Sequence, residues 1–253
     1  MTSEDNKLAQ PGDLPEILKK IRAQTPARLL AGRCGAAYRT NTQLELRQAH
    51  ATARDAVRAE LDIADLGHNF LRQWNLFEVC SQATTKDEYL LRPDLGRHLT
   101  EASRDEVKTR CTAAHDLQIL IGDGLSVTAV VKQVPLLLPL LCDDAKTRRW
   151  NIGEILLIRH CRVGILNELG ELLTPKVAVL LIGERPGLAT AESLSAYMAY
   201  QPKAHHTDAD RNLISNIHSR GVSAEQASQR ILNLAAAMMK TQSSGWQLRE
   251  ELP

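Results

Sequence analysis

Three short apolar runs mark the second half of the chain: L-Q-I-L-I (117–121), E-I-L-L-I (154–158) and K-V-A-V-L-L-I (176–182). Near-continuous apolar strands are the mark of a parallel sheet buried on both faces. The segments between them are long enough to hold a helix each, which predicts right-handed βαβ crossovers. The plainest helix is the last one. Ser223 and Gln226 form a capping box, and Ile231, Leu234, Ala235 and Met238 fall on one face. Nearer the start, Asp13 is placed to cap a helix whose Leu14, Ile17, Leu18 and Ile21 share a stripe, and such a stripe needs a cover, which a partner can supply. An alanine-rich stretch at 43–61 reads as helical, and S-R-D-E (Ser103–Glu106) matches a second capping box. The alternation of Val79, Ser81 and Ala83 is weak and supports at most a short strand. Met1–Gly12 is polar and ends in Pro-Gly, the composition of a disordered tail. The pattern divides the chain into a tail (1–12), a mainly helical region (13–115) and an α/β domain (116–253). The expected fold class is α/β, a Rossmann-like parallel sheet with flanking helices, preceded by the mostly helical N-terminal region.

Composition narrows the function classes. Lys and Arg number 31 against 30 Asp and Glu, so no global field draws the chain to nucleic acid or a membrane surface. With nine aromatic residues in 253, platforms for base stacking are not expected. Cys34, Cys80, Cys111, Cys142 and Cys161 are odd in number and scattered, with no C-x-x-C pair, and read as reduced thiols of a cytosolic protein. The start M-T-S-E-D-N-K lacks a signal pattern, and the apolar run 135–142 is far shorter than the ~20 residues of a membrane span.

The candidate chemistry follows the strands. They run into G-D-G-L-S (122–126), R-H-C-R-V-G (159–164) and G-E-R-P-G (183–187), and ligands on open α/β sheets bind outside the carboxyl ends of strands. The three loops are therefore expected on one crest, where glycines let backbone amides approach a ligand and Glu184 and Arg185 face it. The plainer reading keeps Gly183, Pro186 and Gly187 as a turn with Glu184 and Arg185 in solvent. Other constellations are weaker. His205, His206, Asp208 and Asp210 lack a recurrent metal-ligand spacing. Asp123 and Ser126 lack the G-x-S-x-G elbow and an evident base, and no strand is followed by G-x-G-x-x-G. Arg148, Arg149, Arg159 and Arg162 read as a solvated face, with a phosphate contact open to the last two.

Six stretches carry a resemblance that spacing alone does not reach: A-G-R-C-G (31–35), Y-L-L-R-P-D-L-G-R (89–97), I-G-D-G-L-S (121–126), G-E-R-P-G-L (183–188), E-S-L-S-A-Y (192–197) and D-A-D-R-N-L-I-S-N-I-H (208–218). Their order and spacing resemble the small subunit of ethanolamine ammonia-lyase from about Ala27 to the last helix. The resemblance implies a subunit that does no chemistry alone. A large barrel-shaped subunit would hold ethanolamine, and adenosylcobalamin would be closed between the two. The cofactor's adenosyl radical then drives release of ammonia and acetaldehyde, the protein's part being to position it. The partner would be that large subunit, in a hetero-oligomer of several heterodimers.

Carried over by position, the family's cobalamin contacts fall on Val163, Glu184 and Leu213, with no catalytic residue and no metal ligand of the chain's own. Leu213 departs from the pattern, since the family carries cysteine there; a main-chain contact would survive the change and a sulfur contact would not. No D-x-H-x-x-G occurs, so the cofactor is expected to keep its own dimethylbenzimidazole as lower ligand. With its reduced thiols the chain is expected to be cytoplasmic, and the resemblance adds that some relatives reside in a bacterial microcompartment. The segment before A-R-L-L is short for that address, although Leu14–Ile21 offers a docking helix. The alternative reading is a stand-alone small-molecule enzyme built on Asp123, Ser126 or the 205–210 loop.

Overall fold

The computed structural model describes residues 16–24 and 33–250. The expected tail over 1–12, together with Asp13 and Leu14 of the predicted first helix, lies outside the described residues. In chain order come helix α1 (Glu16–Ala23), a small hairpin of β1 (Arg33–Cys34) and β2 (Ala37–Tyr38), then α2 (Thr40–Arg58), α3 (His68–Trp74), β3 (Phe77–Cys80), α4 (Lys86–Leu91) and α5 (Glu101–Arg110). The second half contributes β4 (Leu117–Gly122), α6 (Val127–Thr147), β5 (Leu156–Arg159), α7 (Ile165–Leu173), β6 (Val177–Gly183), β7 (Leu194–Tyr200), β8 (Asn212–Ile217) and α8 (Ala224–Thr241).

β3 to β8 form one six-stranded sheet in the order β3-β5-β4-β6-β7-β8. The three apolar runs are three of its interior strands and pair in parallel, with Leu120 opposite Leu156 and Leu180. Every residue of β4 and β6 is buried, as continuous apolar runs require. α6 crosses from β4 to β5 on one face and α7 from β5 to β6 on the other, which puts cores on both sides. One core gathers Ile119, Ile121, Val179 and Leu181 with α6 and α8; the other gathers Leu120, Ile158, Leu180 and Ile182 with α7.

The expected parallel sheet needs correction beyond β6, because β7 and β8 run antiparallel and make the sheet mixed. The reason lies in the connection. Residues 184–193 are too few for a helical crossover and are interrupted by Pro186 and Gly187, so the next strand has to return antiparallel. The weak alternation near Val79 is the edge strand β3, which pairs in parallel with β5. That strand belongs to the first half of the chain yet completes the sheet of the second half.

The capping box expected at Ser103 is also corrected. Helix α5 starts three residues earlier, where the Thr100 hydroxyl accepts the Ser103 N–H, and Ser103 sits buried inside the helix accepting the Cys80 N–H at 2.9 Å. A capping pattern shifted by one turn matches the same spacing, and the buried acceptor decides between them. The box at Ser223 and Gln226 forms as read, with Ile231, Leu234, Ala235 and Met238 buried beneath α8. No helix among the described residues is long and apolar enough to cross a membrane.

Candidate functional site

The three loops that follow β4, β5 and β6 meet at the carboxyl edge of the sheet and are tied to one another by backbone. Leu125 N–H donates to the Gly183 carbonyl at 3.0 Å. Asp123, fully buried, accepts the His160 and Cys161 N–H groups at 2.8 and 2.9 Å, one on each carboxylate oxygen. Burial pushes the Asp123 carboxyl up, against the pull of the Lys86 ammonium and those two amides. Lys86 is itself buried, its own value lowered by desolvation, and donates to the Gly124 carbonyl at 3.2 Å.

Tyr89, from the Y-L-L-R stretch, locks the middle loop from below. Its hydroxyl donates to the Cys161 carbonyl at 3.0 Å, and the Arg162 guanidinium lies 4.1 Å over its ring while donating to the Tyr89 carbonyl. Arg162 is thereby committed internally, as is Arg159, whose partners are Glu60 and Glu78. Ser126 caps α6 by accepting the Ala129 N–H, and its own hydroxyl donates to the Ala191 carbonyl. Neither Asp123 nor Ser126 is therefore a free nucleophile or base.

Glu184 differs from all of these. Its Oε2 accepts the Ser193 hydroxyl at 3.1 Å; its Oε1 accepts the Ser195 hydroxyl and, at 3.3 Å, the Asn216 N–H. A carboxylate offers about four acceptor positions, so three protein donors leave one, on Oε2. The neighbouring Arg185 is exposed and Pro186 buried, so the oppositely charged pair of G-E-R-P-G is split between a prepared acceptor and solvent. Gly183 serves loop-to-loop contact rather than an incoming ligand, since a Cβ there would fall 2.0 Å from the Ser126 carbonyl oxygen.

The other two predicted positions share a face with Glu184. Val163 stands at the start of α7, whose first turn no side chain caps, and packs against the α7-side core. Leu213 pairs with Tyr197 across β8 and β7, and Tyr197 packs against that same core. Their neighbours Ile214, Ala196 and Met198 point into the opposite core beneath α6 and α8. The ladder also sets Ser195 opposite Ile182, which keeps the Glu184 carboxylate on the α7 side. Leu213 is 46% exposed, which marks where helical cover on this face ends.

The 205–210 loop is accounted for by local bonds. Asp210 and Thr207 cap a short 3-10 turn, and Asp208 pairs with Arg211, whose largely buried guanidinium donates to Asn167 of α7 at 2.8 Å. Among the described residues, no group of three or more His, Cys, Asp or Glu converges for a metal.

Sequence reasoning missed the partners of Glu184. Ser193 and Ser195 lie two apart, a strand spacing that puts both on one face. Asn216 was unreadable because its contribution is a backbone amide.

Fold and edge together define the class: an α/β protein that presents a prepared carboxylate beside a partly uncovered apolar sheet face. Residues 15–249 match the family described as Ethanolamine ammonia-lyase light chain (EutC). Ethanolamine ammonia-lyase small subunits from Clostridium perfringens and Clostridium acetobutylicum are 41% and 38% identical over 234 residues, covering 92% of this chain and 78% and 95% of their own lengths. The small subunit from Listeria monocytogenes serovar 1/2a is 37% identical over 240 residues, 95% of this chain and 80% of its own. The chain belongs to the ethanolamine ammonia-lyase small-subunit family.

Proposed function

We propose that this chain is the small subunit of an adenosylcobalamin-dependent ethanolamine ammonia-lyase and holds the cobalamin against a large catalytic subunit on the α7-side face of β7 and β8. One observation carries the reading: Val163, Glu184 and Leu213, distant in sequence and on separate elements, all lie on the α7 side of the sheet. The donor set fits the group. A corrin periphery offers amides that need acceptors, and Glu184 keeps one acceptor position on Oε2. Its flat body needs apolar surface, and Leu213 and the ring of Tyr197 supply it beside the start of α7. Held there by Val163, Glu184 and Leu213, adenosylcobalamin would supply the radical chemistry that the reaction needs.

The chain's own work is binding and orientation. Glu184 is held by three donors before any ligand arrives, so ordering it costs little on binding. Leu213 contributes apolar area and not sulfur. The alternative of a stand-alone enzyme loses Asp123, which is fully buried, and Ser126, which is spent on a helix cap, while Asp208 and Asp210 of the 205–210 loop are engaged in local bonds.

Acetaldehyde release from ethanolamine tests the reading, with the chain and its large subunit assayed alone and together, with and without adenosylcobalamin. Activity is expected only when both proteins and the cofactor are present; turnover by this chain alone would overturn it. In the assembled protein, Glu184→Ala is expected to weaken cobalamin binding roughly tenfold, the scale of a lost charged hydrogen bond, with assembly unchanged. Paramagnetic resonance of the cob(II)alamin form is expected to show nitrogen coupling that labelling the protein does not alter.

A further inference from the structure

The end of β8 contains an irregularity aimed at Glu184. Leu194 pairs with Ile217 while Ala196 pairs with Ile214, so β8 carries one more residue than β7 between the two pairs. Such a bulge frees a backbone amide from the ladder and re-aims it. Here Asn216 adopts the left-handed conformation, φ +62°, and its N–H donates to Glu184 Oε1. A left-handed conformation is unfavourable for a residue with a side chain, and asparagine tolerates it when that side chain finds a local partner.

His218 is that partner. Its Nε2 lies 2.7 Å from Asn216 Oδ1, and its Nδ1 faces the Arg220 N–H at 3.2 Å. The amide can only donate, so Nδ1 accepts and Nε2 carries the proton. The ring is 4% exposed and holds this one tautomer. The hydrogen bonds then run in sequence from Arg220 to His218, from His218 to Asn216 and from Asn216 to Glu184.

Resting on the cobalamin reading of Glu184, we propose that His218 and Asn216 are positioning residues that latch the β8 bulge and thereby fix the Glu184 carboxylate with its remaining acceptor position open to the cobalamin amides. They touch no ligand themselves.

The two nitrogens of His218 separate the latch from a merely structural role. A glutamine amide can stand in for Nε2 and still donate to Asn216, whereas an asparagine amide stands in for Nδ1 and cannot reach it. Cyanocobalamin binding to the assembled two-subunit protein, followed by absorbance titration, is expected to weaken roughly five- to tenfold in His218→Asn and to stay within about twofold of wild type in His218→Gln. Asn216→Gly keeps the left-handed backbone but removes the side-chain acceptor, and is expected to weaken binding as His218→Asn does. In a Glu184→Ala background, His218→Asn is expected to add less than about twofold, because coupled residues are not additive. Equal losses in His218→Asn and His218→Gln, or a His218→Asn effect undiminished without Glu184, would overturn the latch. An unchanged affinity in Glu184→Ala alone overturns the reading of the site on which the latch rests.

Discussion

Replacing Gly183 by alanine tests how the crest is built. A Cβ at this position falls 2.0 Å from the Ser126 carbonyl oxygen and 2.8 Å from that of Asp123, where a carbon–oxygen contact needs roughly 3.3–3.6 Å. Both obstacles are backbone, so one loop has to withdraw by more than about 1 Å. The withdrawal strains the Leu125 N–H bond to the Gly183 carbonyl and the Ser126 cap of α6. A lost backbone bond and a lost cap are each worth about 1 kcal/mol, and overpacking adds about 1–3. Gly183→Ala is therefore expected to cost about 3–5 kcal/mol, which for a chain of this size lowers Tm by roughly 6–20 °C. Gly187, at the other end of the same G-E-R-P-G, is the control. A Cβ there meets nothing within 4 Å, so Gly187→Ala is expected to be neutral or to stabilise by about 0.4–1 kcal/mol. Urea and thermal unfolding followed by circular dichroism measure both. A Gly183→Ala cost below about 1 kcal/mol, or an equal cost at Gly187, would refute the interlocked-loop account.

Two further outcomes follow from the same framework. Asp123→Ala leaves the His160 and Cys161 amides without acceptors and the buried Lys86 without its nearby anion, so it is expected to cost about 3–5 kcal/mol, measured by urea unfolding. Asp116 is held below the usual carboxylate range by its bond to Lys176 and by the Asn151 N–H. A depressed carboxyl stabilises the fold above its unfolded value and loses that contribution as the pH falls through the folded one. Asp116→Asn should therefore give a small loss at pH 7 that fades on acidification below about pH 4, checked by unfolding midpoints across that range.

The parallel half of the fold was legible because burial on both faces forces an unbroken apolar run, and β4, β5 and β6 each have one. The antiparallel half was not, for two physical reasons. β7, L-S-A-Y-M-A-Y, is buried along most of both faces, and its single serine and two half-buried tyrosines blur the period of two. In β8, N-L-I-S-N-I, the bulge at Asn216 shifts Ile217 out of phase with Ile214, and a two-residue template fails across it. The site was legible in part. Strand-end loops identified Glu184 and the neighbourhood of Val163, whereas Leu213 came from resemblance, because it lies mid-strand on a face whose exposure depends on where α7 stops. The hydroxyls of Ser193 and Ser195 were visible as residues, but their role depends on a register that only the folded ladder supplies.

That register also explains why the chain extends its sheet at all. A parallel sheet with helices on both faces offers a ligand only its edge, a narrow crest suited to a phosphate or a small polar group. Adding two antiparallel strands backed by α8 leaves the other side of β8 exposed at Leu213 and Ser215, beside that crest. Glu184 sits at the junction, reached from the crest by its own loop and from the new surface by Ser195 and Asn216. A site of this shape suits a broad, flat ligand with polar groups at its rim. Under the proposed function, the far side of that ligand is left for the large subunit to close. The antiparallel strands that the apolar pattern did not reveal are thus the part of the fold that bears most directly on the proposed function.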